Sequence, residues 1–328
     1  MWLRSISLIY LEYLAAAAIV VILSIKASNY IDLLDKNTKL SGAFLGGIML
    51  SAVTSLPELF TSISATVLLD RPGLCMGNIL GSDLFNLAAL SVVILIYFKG
   101  FSKGRVSKSY RNVAFLVFLI YIFIGLNFLD LVNARILNLS VTSVLILLVY
   151  ILGAKYLAIA NDVDTDEDAL DYHASMSTKL SVKQIGFRFF LVSVGIIAFS
   201  IIITYLTDQI SVKLGLGQGL AGALFLGVAT SLPELSSTIT LFKMRNYNIA
   251  VGNIIGSNLF NFIILAIADV LSLSSGVYAY PDHKTMLLLL FGCVATPLFW
   301  IMLKFKNRTT QAVCSLGIIG CYAAFLMA

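Results

Sequence analysis

The chain has 328 residues, of which 59% are hydrophobic and 12% are charged, with a net charge of +5 and a mean hydropathy of +0.96. A soluble protein of this length would need about twice that charged fraction to cover its surface, so the composition excludes a soluble globular protein and predicts a polytopic membrane protein. Two histidines in polar connections and four cysteines without CxxC spacing argue against a zinc site or a disulfide framework.

The apolar runs predict an all-α polytopic membrane protein. A helix needs roughly 20 apolar residues to cross about 30 Å of hydrocarbon. Ten runs meet that length, near 6–25, 40–69, 74–98, 112–130, 134–158, 186–206, 216–242, 248–274, 285–303 and 310–327. We read the first run as a retained span, because Glu12 interrupts it and a single arginine precedes it. Glu12 and Asp269 are expected at the membrane interface or at span ends.

The distribution of basic residues predicts the orientation of the chain. If the ten spans alternate, 17 of the 22 Lys and Arg residues fall on one side of the membrane. Cytoplasmic loops carry the excess of basic residues, so both termini are predicted to lie outside an integral cell-membrane protein.

Two motifs occur twice and reveal an internal duplication. TSLPEL occupies 54–59 and again 230–235, and GNILGSDLFN at 77–86 is followed by GNIIGSNLFN at 252–261. The copies are offset by 176 positions for the first motif and 175 for the second, so they differ by one deletion. They lie five spans apart, an odd number, and therefore enter the membrane in opposite directions as an inverted repeat.

The duplication predicts the domain organisation. We expect two inverted five-helix repeats with proline-broken core helices, and these repeats occupy residues 1–158 and 186–328. Their repeated cores cover about 42–95 and 217–271. An acidic cytoplasmic linker at 159–185 joins the halves, and it is either a solvated connection or a divalent-cation sensor. It lacks the glycine and the terminal glutamate of an EF-hand loop.

The repeated motifs have the composition of a site for a hard cation. On a helix, five residues of the first motif region share one face, and the second copy repeats the spacing: Ser51, Thr54, Ser55, Glu58 and Ser62, then Gly227, Thr230, Ser231, Glu234 and Thr238. A proline before each glutamate frees a backbone carbonyl one turn earlier. The second motif adds a polar stripe in each copy: Asn78, Ser82 and Asn86, then Asn253, Ser257 and Asn261.

The chemistry of these side chains narrows the ligand. Carboxylate, amide, hydroxyl and carbonyl oxygens without soft ligands favour Na⁺, Ca²⁺ or Mg²⁺. A buried acid within a membrane is costly unless a cation or a proton neutralises it. Asp83, whose counterpart is Asn258, lies about 100° from the Ser82 stripe and is expected, at most, behind the ligands.

At these residues the chain resembles the cation/calcium antiporter superfamily, specifically its sodium/calcium exchanger branch. The resemblance implies alternating access at a midplane site, where Glu58 and Glu234 are the carboxylates shared by Ca²⁺ and Na⁺. It also implies two half-sites and two carbonyl ligands: Thr54, Ser55, Ser82 and Asn86; Thr230, Ser231, Ser257 and Asn261; and the carbonyls of Ser51 and Gly227. No cofactor, nucleic acid or obligate protein partner is implied, and the expected partners are the transported ions and the bilayer.

The sequence leaves several functions open. Many members of the superfamily have Asp where this chain has Asn261, so two formal negative charges remain, which suits one Ca²⁺ and leaves the coupling ion undecided. A proton-coupled or Li⁺-permissive cation/Ca²⁺ antiporter is the alternative within the class. An intramembrane protease would need HExxH or GxGD, which the motifs do not contain. A channel is disfavoured because proline-broken inverted repeats are typical of alternating access.

Overall fold

A computed structural model describes residues 6–37, 50–132, 134–136, 139–160, 180–272, 276–279, 282–305 and 307–328. These residues are nearly all helical. The helices are α1 (Ile6–Asn37), α2 (Leu50–Thr54), α3 (Leu56–Ile63), α4 (Pro72–Ile96), α5 (Phe98–Phe101), α6 (Ser109–Phe128), α7 (Val141–Ala160), α8 (Val182–Leu214), α9 (Gln218–Ala221), α10 (Val228–Thr230), α11 (Leu232–Lys243), α12 (Tyr247–Leu271), α13 (His283–Lys304) and α14 (Arg308–Met327). Two π-helical segments, Ser64–Leu68 and Gly222–Gly227, continue α3 and α9, and strands β1 (Arg135–Ile136) and β2 (Leu139–Ser140) pair antiparallel.

The membrane-spanning helices are fewer in the described residues than the sequence predicts. Seven helices are long and apolar enough to cross a membrane, or eight if Gln218–Thr230 and Leu232–Lys243, bent by 43°, form one span. Shorter apolar helices cover Leu56–Leu68 and Val141–Leu157. The count of ten is therefore not confirmed. The second predicted span begins at residue 40, and its first part lies outside the described residues.

Two predicted boundaries in the middle of the chain are wrong. The fifth span was expected from residue 134, but residues 135–140 form the β1–β2 hairpin and α7 starts at Val141. The linker was expected to reach residue 185, but α8 already begins at Val182. Ser181 and Gln184 form a capping box there, because each side chain bonds the backbone N–H of the other. Most of the predicted linker lies outside the described residues.

Both TSLPEL motifs are broken helices, as predicted. α2 ends at Thr54 and α3 begins at Leu56, and the intervening Ser55 has φ −87° and ψ 10°. Ser231 separates α10 from α11 with nearly the same backbone angles, φ −89° and ψ 0°. The proline two residues later cannot donate an N–H and its ring clashes with the carbonyl four residues back, so the helix cannot continue straight. The duplication therefore has a matching local structure in both copies.

The helices of the second motif, α4 and α12, are the most buried of the candidate spans. α4 packs closely against the π-helical segment Gly222–Gly227. A Cβ atom on Gly77 would collide with the carbonyl oxygen of Gly219, and one on Gly222 would collide with that of Leu74. Glycine at these positions lets the two backbones meet without intervening side chains, which brings the segment that precedes TSLPEL in the second repeat against the second motif of the first repeat.

Buried Asp269 of α12 binds the β1–β2 hairpin and the start of α7. Asp269 lies near the end of α12, as expected, and it is fully buried. Its Oδ2 accepts hydrogen bonds from the Ser140 N–H at 2.9 Å and the Ser143 hydroxyl at 2.8 Å. Arg135 Nη2 lies 3.7 Å from Oδ1. This network gives Asp269 a structural role that its position near the end of α12 did not predict.

Two long helices flank this core. α1 and α8 pack along each other, and polar contacts link both helices to the core. The Tyr13 hydroxyl of α1 donates to the carbonyl oxygen of Phe225, and Arg71, just before α4, pairs with Asp208 of α8 at 3.2 Å. α8 also packs along α3, where the Thr204 hydroxyl lies 3.5 Å from the carbonyl oxygen of Thr61.

Candidate cation site

The two motif glutamates are fully buried and are bonded reciprocally across the duplication. The Ser55 hydroxyl donates to Glu234 Oε1 at 3.3 Å, and the Ser231 hydroxyl donates to Glu58 Oε1 at 3.2 Å. Ser55 and Ser231 are the residues at which the two helices break. Each proline-induced break thus directs a hydroxyl at the carboxylate of the other repeat, and the two halves build one site.

Further hydroxyl groups surround Glu234. Ser257 of α12 also reaches Glu234 Oε1, at 3.5 Å, and its hydroxyl lies 3.4 Å from Thr54 Oγ1. Within the described part of the chain, the second carboxylate oxygen of each glutamate has no hydrogen-bond partner. A buried carboxylate without such a partner is costly, and a bound cation would remove that cost.

The two predicted carbonyl ligands are both engaged in hydrogen bonds. The Ser51 carbonyl accepts from the Ser55 N–H and the Thr54 hydroxyl, each at 3.1 Å. The Gly227 carbonyl accepts from the Ser231 N–H and the Ser82 hydroxyl, each at 3.2 Å. A carbonyl oxygen has two lone pairs, so a cation at either carbonyl would have to displace the hydroxyl.

Asn78 is a residue of this region that the predicted ligand set did not contain. Its Nδ2 lies within hydrogen-bond distance of the Glu58 carbonyl at 3.3 Å and of the Thr61 and Ser62 hydroxyls, both at 2.9 Å. Its Oδ1 accepts from Thr230 at 3.4 Å. Asn78 therefore holds α3, α4 and the second repeat together. The repeated polar stripe contained this residue, but spacing alone does not show whether an amide binds neighbouring protein groups or a cation.

The counterpart of Asn78 in the second repeat behaves differently. Asn253 is 1% exposed, yet neither its Nδ2 nor its Oδ1 has a partner among the described residues. Thr238, the counterpart of Ser62, likewise has an unpartnered hydroxyl. The bracing contacts are thus made in one repeat and not in the other.

Asn86 and Asn261 make their hydrogen bonds apart from the glutamates. Asn86 Nδ2 donates to Asn258 Oδ1 at 3.0 Å, and Asn261 Nδ2 donates to Asp83 Oδ1 at 2.9 Å. We call Asp83, Asn86, Asn258 and Asn261 the acid–amide cluster. Among the described residues, no three His, Cys, Asp or Glu side chains gather in one group, so Asp83 stands apart from the glutamate pair. The sequence distinguishes Asp83 because GNILGSDLFN has an acid where GNIIGSNLFN has the amide residue Asn258.

The structure thus distributes the twelve predicted ligands over two clusters. Ten of them are the two glutamates and the residues that lie around them or at the helix breaks: Ser51, Thr54, Ser55, Glu58, Ser82, Gly227, Thr230, Ser231, Glu234 and Ser257. The other two, Asn86 and Asn261, belong to the acid–amide cluster. All twelve are buried.

Such a bundle of apolar helices around buried oxygen atoms defines a multi-pass integral membrane protein. The family model described as sodium/calcium exchanger protein matches residues 8–158 and 185–328. The chain therefore belongs to the sodium/calcium exchanger protein family of cation exchangers, and the resemblance drawn from the two repeated motifs is confirmed. The family consists of transporters and not of enzymes.

Relatives in sequence are distant. An uncharacterised membrane protein of Methanocaldococcus jannaschii is 23% identical over 233 residues, which cover 68% of each chain. CaxA of Alkalimonas amylolytica, a proposed antiporter, is 22% identical over 290 residues, covering 87% of this chain and 88% of CaxA.

Two solved exchangers have the same fold. The H⁺/Ca²⁺ exchanger CAX superposes with a TM-score of 0.67 at 14% identity, over 97% of this chain and 87% of CAX. The sodium-calcium exchanger NCX_Mj superposes with a TM-score of 0.63 at 18% identity, over 98% of this chain and 99% of its own. At these identities the likeness establishes the fold alone.

Proposed function

We propose that this chain is a secondary antiporter that exchanges Ca²⁺ for Na⁺ by alternating access at the glutamate cluster. The observation that carries the proposal is the reciprocal pairing of Glu58 with Ser231 and of Glu234 with Ser55. Each carboxylate keeps one oxygen without a protein partner among the described residues. Two carboxylates match the charge of one Ca²⁺, and the adjacent hydroxyls supply part of the six to eight oxygens that Ca²⁺ takes.

Competition for the same oxygens explains exchange. Ca²⁺ and Na⁺ would both need the glutamate carboxylates, so binding of one excludes the other. A carrier with both carboxylates charged and without a cation would have to move uncompensated charge through a low-dielectric interior, which is costly. Only the loaded carrier would reorient, and transport of the two ions would be coupled.

The proposed architecture is the predicted one: ten spans in two inverted five-helix repeats, residues 1–158 and 186–328, with both termini outside and a cytoplasmic linker. The turns support the duplication, because Asp70 and Arg245, 175 positions apart, both have left-handed backbone angles, with φ 50° and φ 60°. A cysteine introduced at Ser175, in a background without native cysteines, tests the orientation. It should react with an impermeant maleimide only after the cells are permeabilised, and labelling of intact cells would contradict this topology.

Proton coupling is the second candidate. The fold is shared with an H⁺/Ca²⁺ exchanger. In addition, the Ser51 and Gly227 carbonyls that Na⁺ would use already accept two hydrogen bonds each. Glu58 and Glu234 would then carry protons instead of Na⁺.

The decisive experiment is Ca²⁺ uptake into proteoliposomes that contain the purified protein, with an outward Na⁺ gradient, an outward H⁺ gradient, or neither. Uptake with the Na⁺ gradient alone is the expected result. Uptake with the H⁺ gradient alone would transfer the assignment to proton coupling. Uptake that needs neither gradient would indicate a channel, and no uptake under any condition would remove Ca²⁺ as the substrate.

A further inference from the structure

The acid–amide cluster repeats the crossed arrangement of the glutamate site. Asn86 of the first repeat donates to Asn258 of the second, and Asn261 of the second donates to Asp83 of the first. Asn86 corresponds to Asn261 in the duplication, and Asp83 corresponds to Asn258. The two hydrogen bonds are therefore equivalent, and each joins one repeat to the other. The amide of Asn258 adds a bond to the backbone carbonyl of Asp83 at 3.0 Å. The cluster is therefore nearly symmetric in its hydrogen bonds.

Its asymmetry is chemical. Asp83 places a carboxyl group where the second repeat has the amide of Asn258, and the amide makes its hydrogen bonds without a charge. Packing and hydrogen bonding alone therefore do not require an acid at position 83. Asp83 is fully buried, and no Lys or Arg of the described residues pairs with it. A buried carboxyl group of this kind needs either a compensating cation or a bound proton.

Three oxygen atoms of the cluster have no partner among the described residues. They are Asp83 Oδ2, Asn86 Oδ1 and Asn261 Oδ1, on side chains that are 0–1% exposed. One carboxylate and two amide oxygens form a hard-oxygen set with a single formal negative charge. That charge matches a monovalent cation better than Ca²⁺, which favours more oxygens and more carboxylate charge.

We propose that Asp83, with the side-chain oxygens of Asn86 and Asn261, forms a Na⁺ subsite separate from the glutamate pair. This inference rests on the proposed Na⁺/Ca²⁺ exchange and deepens it, because it assigns one Na⁺ to oxygens that Ca²⁺ does not share. It also replaces the expectation that Asp83 lies behind the ligands, and it raises the buried negative charge of the transport core from two groups to three.

The test is direct ion binding to the full-length protein in nanodiscs. Calorimetric titrations with NaCl, in choline chloride at constant ionic strength, would be compared with CaCl₂ titrations in the absence of Na⁺. In Asp83→Asn, which copies the second repeat, the Na⁺ dissociation constant should rise about tenfold or more, as expected when a charged contact is lost. The Ca²⁺ constant should rise by less than about threefold.

Two further variants control the result. Asp70→Asn removes an exposed acid in a turn whose left-handed backbone suits asparagine, and it should leave both constants unchanged. The exchange Asp83→Asn with Asn261→Asp moves the charge to the other end of the 2.9 Å hydrogen bond. It should restore Na⁺ binding to within about threefold of the unmodified protein, which a variant that merely misfolds could not do.

The outcomes separate this inference from the proposed function. Unchanged Na⁺ affinity in Asp83→Asn, or an equal loss of Na⁺ and Ca²⁺ affinity, would overturn the subsite even if a Na⁺ gradient drives Ca²⁺ uptake. Na⁺ binding that depends on Asp83 would support the subsite even if liposome uptake proved to be proton-driven, in which case only the proposed coupling would fail. An unmodified protein that binds no Na⁺ would overturn the subsite.

Discussion

Ser55 and Glu234 lie in different repeats, 179 positions apart in the chain, and are joined by a 3.3 Å hydrogen bond from the serine hydroxyl to the carboxylate. Ser231 and Glu58 are the equivalent pair in reverse, at 3.2 Å. Neither glutamate therefore belongs to one half of the protein alone. Motion of one repeat relative to the other would change the surroundings of both carboxylates, and in the proposed exchange this would couple ion binding to conformation.

The first prediction concerns the carboxylates. Glu58→Gln and Glu234→Gln should each lower Ca²⁺ uptake by about 30-fold or more, because loss of one charge from a buried ionic site costs roughly 2–5 kcal/mol. The measurement is ⁴⁵Ca²⁺ flux into proteoliposomes, with Asp70→Asn as a control variant that keeps full activity. Robust flux in both glutamine variants would refute the site assignment.

The second prediction concerns the crossed hydroxyls. Ser55→Ala and Ser231→Ala should each weaken Ca²⁺ affinity by roughly threefold to tenfold, the effect of one lost hydrogen bond near a charged group. Both effects should fall in this range, and that of Ser55→Ala should be the smaller because Ser257 also reaches Glu234 Oε1. Thr240→Ala, an exposed hydroxyl on α11, serves as the control in the same titration. Affinities that differ by more than about tenfold between the two serine variants would show that the site is not shared equally.

The third prediction uses the unequal bracing of the repeats. Asn78→Ala should lower the free energy of unfolding by about 1–3 kcal/mol, because it leaves the buried Thr61 and Ser62 hydroxyls without a donor. Asn253→Ala removes an equally buried amide that has no partner in the described residues, so it should cost less. Denaturant unfolding in detergent compares the two variants directly, and equal losses would contradict the asymmetry.

The fourth prediction concerns close helix packing. Gly77→Ala should reduce the yield of folded protein or its melting temperature, because the added Cβ would collide with the Gly219 backbone. Gly320→Ala adds the same methyl group to α14 where no atom lies within 4 Å. That control should be neutral or stabilising by up to about 1 kcal/mol, since alanine favours a helix over glycine. Size-exclusion profiles and thermal melts would distinguish them, and a Gly77→Ala protein as stable as Gly320→Ala would argue against this packing.

Several features of the site could be predicted from the sequence because covalent chemistry determines them. A proline before Glu58 and another before Glu234 remove a backbone N–H and crowd the carbonyl four residues back, which predicts a kink or a break, and the structure has the breaks at Ser55 and Ser231. The identical motifs also identified the family. The residues that contact these breaks are determined by packing between the repeats. A single sequence has no pattern from which that packing can be predicted.

Other features depend on tertiary contacts that the sequence did not predict. Asp269 lies near the end of a span, as expected, but the hairpin that covers it is distant in the sequence. Asn86 and Asn261 were grouped with the glutamates through the family resemblance, and the sequence did not predict that their amides pair with Asn258 and Asp83. Helical periodicity assigns a side chain to a face, but it does not identify the helix that this face meets.

The one-residue difference between the repeats has a structural counterpart. The π-helical segment Ser64–Leu68 lies between Glu58 and Asn78, and its Leu69 N–H bonds the Ser64 carbonyl five residues back, at 3.1 Å. Such a turn takes up one residue more than an α-helical turn, and the second repeat spans the same interval with regular α11. Under the proposed alternating access, two identical inverted halves would give two conformations that are related by a twofold axis and equal in energy. The extra residue removes that equivalence, so this protein should have a preferred resting side even when no gradient exists.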